Sequence, residues 1–146
     1  MPLNASGLKD DLEALASEPE PDIPGCAQQW AEAMGAYAAS IVPASTAVAA
    51  ATATLKTALE SAFALPAAAT SMETAFLAFA TTVGGGMAPG FVATPPPAPI
   101  GFATQFAGPH PATHAEAAQA IADLVDAWMK TGTATPSGGG SPVAWS

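Results

Sequence analysis

The sequence predicts a mainly α fold: a small bundle of about five helices, a long Pro/Gly-rich extended arm at residues 84–112 and an extended tail at 133–146. Three observations predict it. Large apolar residues recur at spacings of three and four in five separate runs, which lines them along one side of a helix. Proline or glycine stands at the end of each run, where it stops helix propagation. Residues 84–112 hold six Gly and seven Pro in 29 positions, a density that excludes a regular helix or a central strand. The chain then divides into an N-terminal helical part at 1–83, the arm at 84–112, a helix at 113–132 and the tail at 133–146. At 146 residues these are parts of one domain.

The first helix spans about residues 4–17. Leu8, Leu12 and Leu15 share one stripe, and Asn4 or Ser6 can cap its first turn. Glu18-Pro19-Glu20-Pro21-Asp22 breaks it, because alternating prolines force extended backbone and the acids keep it solvated. The second helix spans about 24–42, with Asp22 as cap and Pro24 in its first turn. Trp30, Met34, Tyr37 and Ile41 form a short seam among Ala27, Ala31, Ala33, Ala36, Ala38 and Ala39, small residues that let a neighbouring helix approach closely. Pro43 ends it. The third helix, about 45–65, carries Val48, Thr52, Leu55, Leu59 and Phe63 on one face and stops at Pro66. The fourth, about 70–83, opens on the capping box Thr70-Ser71-Met72-Glu73 and carries Met72, Phe76, Phe79 and Val83. Gly84-Gly85-Gly86 ends it through a left-handed exit.

The arm is no plain linker. Phe91, Ile100, Phe102 and Phe106 are large and apolar, and a solvated linker has no use for them. They are expected to dock onto something. The fifth helix opens on a second capping box, Thr113-His114-Ala115-Glu116. Ala117, Ile121, Leu124, Val125, Trp128 and Met129 make its apolar face; Glu116, Asp123 and Asp126 are expected to face outward. Lys130 lies in the last turn, where the helix dipole favours a cation. The tail is Gly, Ser, Thr and Pro up to Val143-Ala144-Trp145-Ser146. Such a composition is disordered unless something grips it, and Trp145 is the obvious anchor.

Composition excludes several functions. The 50% hydrophobic content is mostly alanine: 38 of the residues are Ala and only 34 are Val, Ile, Leu, Met, Phe, Trp or Tyr. Twelve acids face only Lys9, Lys56 and Lys130, for a net charge of −9. Three scattered lysines cannot neutralise a run of phosphates, so a nucleic-acid partner is not expected. An anionic membrane surface would repel this chain, and its most apolar stretch, residues 41–65, is broken by Pro43, Lys56 and Glu60. Asp10 and Asp11 stand where a secretory signal would be apolar, which suggests a protein made in the cytoplasm without such a signal.

Candidate chemistry is sparse. His110 and His114 have a four-residue spacing that can chelate a metal on a helix, but Pro111 and the cap at Thr113 place them on either side of a helix start. Asp10, Asp11, Glu13, Glu18, Glu20 and Asp22 lack the spacing of a calcium loop and read as a solvated acidic face or a docking face for a basic partner. The two triple-glycine runs have no following Lys-Ser/Thr. Cys26 is alone and reads as a small buried residue beside a helix start. No catalytic residue, cofactor or metal is expected. Pro95-Pro96-Pro97-Ala98-Pro99 reads as a stiff spacer.

Area and entropy point to partners. Burying apolar surface yields roughly 25 cal/mol per Å², and ordering a residue costs about 1–2 kcal/mol of backbone entropy. Ordering the arm and tail therefore calls for contacts that an Ala-rich bundle supplies poorly and neighbouring subunits can supply. Two runs carry a resemblance. Residues 1–33 combine the short Leu helix, the Pro/acid linker, Cys26 and the Ala-rich Trp30 helix; residues 112–135 combine the Ala-rich Trp128 helix and the exit Thr131-Gly132-Thr133-Ala134-Thr135. Both resemble small Ala-rich structural proteins of tailed bacteriophages from high-GC hosts. The resemblance implies a virion component of head, neck, tail or baseplate, with other copies of itself and neighbouring virion proteins as partners. The expected function is thus a non-enzymatic structural subunit of a symmetric homo-oligomeric assembly. Trp30, Tyr37, Phe91, Phe102, Phe106 and Trp145 are its interface candidates. The alternative is a small helical adaptor that binds one partner helix through the Trp30/Tyr37 face.

Overall fold

A computed structural model describes residues 2–146. Its elements are α1 (Ala5–Ser17), α2 (Ile23–Ala38), α3 (Val48–Phe63), α4 (Ala68–Gly85), β1 (Phe91–Thr94), α5 (Phe102–Ala107), α6 (His114–Met129), β2 (Thr133–Pro136) and β3 (Val143–Ala144). The fold is mainly helical, as the periodicity predicts, but it also contains a small antiparallel sheet in the order β1-β2-β3. Helices α2, α3 and α4 pack in sequence order, and α1 lies between α2 and α6. The expected apolar stripes are the core: Leu8, Leu12, Met34, Leu55, Leu59, Phe76, Phe79, Val83, Val125 and Met129 are all buried. Alanines 27, 31, 38, 51, 80 and 122 are buried among them, so the helices meet at close range.

Local chemistry sets the helix starts. Asn4 Oδ1 accepts from the Gly7 N–H at 3.2 Å, and Asp22 Oδ1 from the Gly25 N–H at 2.7 Å. Thr113 accepts from the Glu116 N–H at 3.1 Å, while Glu116 reaches back one residue further, to the Ala112 N–H at 2.9 Å. The capping box expected at Thr70–Glu73 does not form. Helix α4 starts earlier, at Ala68, and Glu73 instead accepts from the Ala103 N–H of α5 at 3.1 Å. That carboxylate caps the first turn of a helix the Pro/Gly density argued against.

Tertiary contacts move two helix boundaries. Helix α2 stops at Ala38 rather than Val42, because Val42 precedes Pro43 and exchanges backbone bonds with Ser146: Val42 N–H to the Ser146 carbonyl at 2.7 Å, and Ser146 N–H to the Val42 carbonyl at 3.1 Å. Helix α3 starts at Val48 rather than Ser45, since Ser45 and Thr46 donate to the carbonyls of Val83 and Gly86. The exit of α4 is right-handed at Gly86, contrary to expectation; a Cβ there would lie 2.5 Å from the Ala47 nitrogen, so close approach is what requires glycine.

The expected arm and tail fold onto their own chain. Phe91↔Pro136 through Thr94↔Thr133 pair β1 with β2, and Thr133↔Ala144 and Ala134↔Val143 pair β2 with β3. Phe102 is fully buried on α5, Ile100 is buried beside it, and Trp145 is fully buried behind the sheet. The prolines still confine β1 to an edge, so the expectation that excluded a central strand holds while the one that excluded a helix does not.

Candidate functional site

Four aromatic residues from three helices meet at one place. Phe76 of α4 and Phe102 of α5 sit edge to face with ring centres 4.9 Å apart, and Trp30 of α2 approaches both edge-on at 6.2 and 6.4 Å. Phe106 stacks on Phe102 at 5.5 Å with the rings 9° from parallel, and it remains 40% exposed. This geometry uses the ring quadrupoles and buries most of the area within the chain. Beside Phe106 lies an apolar cleft of about 330 Å³, lined also by Gln105, Pro109, His110, Pro111, Ala117 and Ile121.

Tyr37 is buried, and its hydroxyl donates to Asp126 Oδ1 at 2.8 Å. Asp126 therefore does not face outward as expected; it joins α2 to α6 and accepts from Lys130 Nζ at 2.7 Å. Burial pushes the Tyr37 phenol well above the ordinary tyrosine value of 10.0, and the bond to the Asp126 carboxylate and its charge push it further. The seam that could have taken a partner helix is thus filled by α4, α5 and α6.

Trp145 occupies a slot between two glycines. A Cβ on Gly132 would lie 2.6 Å from indole Cδ2, and one on Gly84 would lie 3.1 Å from Cζ2. The Trp145 backbone N–H donates to the Gly132 carbonyl at 2.9 Å, while the indole Nε1–H is buried with no acceptor. Phe102 and Trp145 are therefore anchors within the chain rather than free interface residues. Phe91 is half-buried on β1, and Phe106 is the most exposed of the six interface candidates.

The sheet presents a different surface. Paired residues share a face, so Ala93 and Ala134 point toward the helices while Val92 points away and is 64% exposed. Strand β1 pairs only with β2, so among the described residues no strand covers its outer edge. Neither Val92 nor this edge was a sequence candidate, although Phe91-Val92-Ala93-Thr94 is rich in strand-favouring types.

Charge is distributed unevenly. Each lysine is committed to an acid on its own helix: Lys9 to Glu13 at 2.6 Å, Lys56 to Glu60 at 3.3 Å and Lys130 to Asp126 at 2.7 Å. Asp11, Glu18, Glu20 and Glu32 line an open cleft of about 630 Å³ between α1 and α2. Burial and the neighbouring Asp10 charge raise the Asp11 carboxyl. Gln29 pins the proline linker across this cleft, donating to the Glu18 carbonyl and accepting from the Glu20 N–H. Cys26 is half-buried rather than buried, with its thiol on the Glu20 carbonyl at 3.2 Å. His110 and His114 are both exposed and flank the start of α6. No group of three His, Cys, Asp or Glu among the described residues could hold a metal, and no described helix is long and apolar enough to cross a membrane.

Compared with known protein families, curated proteins and solved structures, the chain matches none of them.

Proposed function

We propose that this chain is a non-enzymatic structural subunit of a symmetric assembly, a tailed-phage virion component of head, neck, tail or baseplate, that binds other copies of itself and neighbouring virion proteins. The observation that carries the reading is the outer edge of β1, with which no strand pairs among the described residues, beside the exposed Val92. An edge strand offers unpaired N–H and C=O groups, and chains that have no use for such an edge blunt it with charge, proline or a covering loop. Here Val92 carries no charge, and no proline stands within Phe91–Thr94, between Pro89 and Pro95. Strand addition at such an edge supplies backbone bonds for affinity and side-chain pockets for specificity. Phe106 and its cleft add an apolar contact from the same arm. The likeness of residues 1–33 and 112–135 to Ala-rich phage structural proteins names the kind of assembly.

Val92→Lys places a charge beside the edge without disturbing a buried residue. Light scattering of the purified chain is expected to show concentration-dependent oligomers, and the V92K form is expected to shift at least about tenfold toward monomer. An unchanged distribution would reject the edge as the contact.

A further inference from the structure

We infer that the segment around Trp145 is an exchangeable plug, which can leave its own slot and fill the Gly84–Gly132 slot of a second copy of this chain. The inference rests on the assembly reading above and names the contact that would lock neighbouring subunits.

The construction of the segment carries it. Every residue from Ser137 to Ala144 is exposed, so neither residue of β3 nor the connection before them is buried. One side chain, Trp145, is fully buried, with its indole against Gly84 and Gly132. The remaining hold is backbone: the short β2–β3 pairing, the Trp145 N–H on the Gly132 carbonyl and the Val42–Ser146 exchange. None of these bonds depends on which copy supplies the plug. The slot is preformed by two glycines, whose missing side chains give the indole its space.

The connection behaves as a hinge. Residues 137–142 read Ser-Gly-Gly-Gly-Ser-Pro, and the closed turn requires positive φ at Gly139 (94°) and Gly140 (143°). Opened out, the nine Cα steps from Pro136 to Trp145 reach about 30 Å, enough to cross to an adjacent slot. Because the contacts are the same in either arrangement, the balance is set by concentration. A short flexible connection gives the chain's own slot an effective concentration in the millimolar range. Dilute chains therefore close on themselves, and exchange prevails where neighbours are held side by side or where the closed turn is penalised.

The test uses the registered pair Ala134 and Val143. In a Cys26→Ser background, Ala134→Cys and Val143→Cys form a disulfide within one chain when the plug is closed and between chains when it is exchanged. Adding Gly139→Val and Gly140→Val penalises the closed turn, since branched residues avoid positive φ. Non-reducing electrophoresis is expected to show covalent dimers and larger species rising from about a tenth of the chains to more than about half. Monomers with internal disulfides, or free thiols throughout, would overturn the exchange. If the hinge variant does not fold, the natural hinge is oxidised at millimolar concentration as a mixture of light and isotope-labelled chains; mixed covalent dimers are expected, and their absence overturns the exchange. Native mass of the same samples separates the two claims. Oligomers with only internal disulfides defeat the plug and leave the assembly reading standing; monomers alone defeat both.

Discussion

Tyr37 and Trp145 concentrate the most consequence in single side chains. Tyr37→Phe removes the bond to Asp126 and leaves a part-buried carboxylate with one partner fewer, an expected loss of about 1–3 kcal/mol in denaturant unfolding. The phenol also fixes a pH response. Its folded value lies above the ordinary 10.0, so the stability it lends is complete below that ordinary value. It is lost as pH climbs toward the raised value, because the unfolded chain can ionise first. As Tyr37 is the sole tyrosine, absorbance in the phenolate band should stay flat on alkaline titration until the helical signal collapses; ionisation with the helices intact would contradict the burial. Trp145→Ala should cost about 3–5 kcal/mol by emptying the slot, measured as a lower unfolding midpoint. The sequence singled out both residues as large groups needing a partner, but not the partners. Asp126 lies 89 residues from Tyr37, and its place in the helical period gives no sign that it turns inward.

Elements differ in how readily their sequences disclose them. Helices α1 to α4 and α6 are legible because each buries a stripe whose period is fixed by the backbone. Their ends are less legible where a distant group competes, as Ser146 does for Val42 and Gly86 does for Thr46. Helix α5 is six residues long and buries one side chain, so it has no period to read. It depends on Glu73, whose carboxylate meets its first turn. Glu73→Ala should release α5 and Phe102 together, with a loss of about 1–2 kcal/mol and faster amide exchange confined to α5; unchanged exchange there would show that the cap is dispensable. The sheet was hidden for another reason. The β1–β2 pairing joins residues about 40 positions apart, and the prolines around β1 mask a short run of strand-favouring types.

At the scale of the molecule, an Ala-rich chain with few bulky groups holds its own arm and tail by burying one large residue from each, Phe102 and Trp145. Phe102 completes the aromatic cluster and Trp145 closes the sheet against α4. What remains outward is an acidic surface whose three cations are already paired, together with the outer edge of β1, with which no strand pairs among the described residues. The candidate site was only partly legible, since Phe91 and Phe106 were recognisable as aromatics in the arm whereas the edge itself exists only after β1 and β2 have met. With a net charge of −9, copies repel at long range and attract only on contact. Salt screens the repulsion, with a Debye length of about 10 Å at 0.1 M, so self-association should strengthen as salt rises. Sedimentation velocity of the unmodified chain over a range of concentration and ionic strength tests this most directly. The account predicts species larger than 14.3 kDa that grow with both variables; a single 14.3 kDa species under every condition would contradict it.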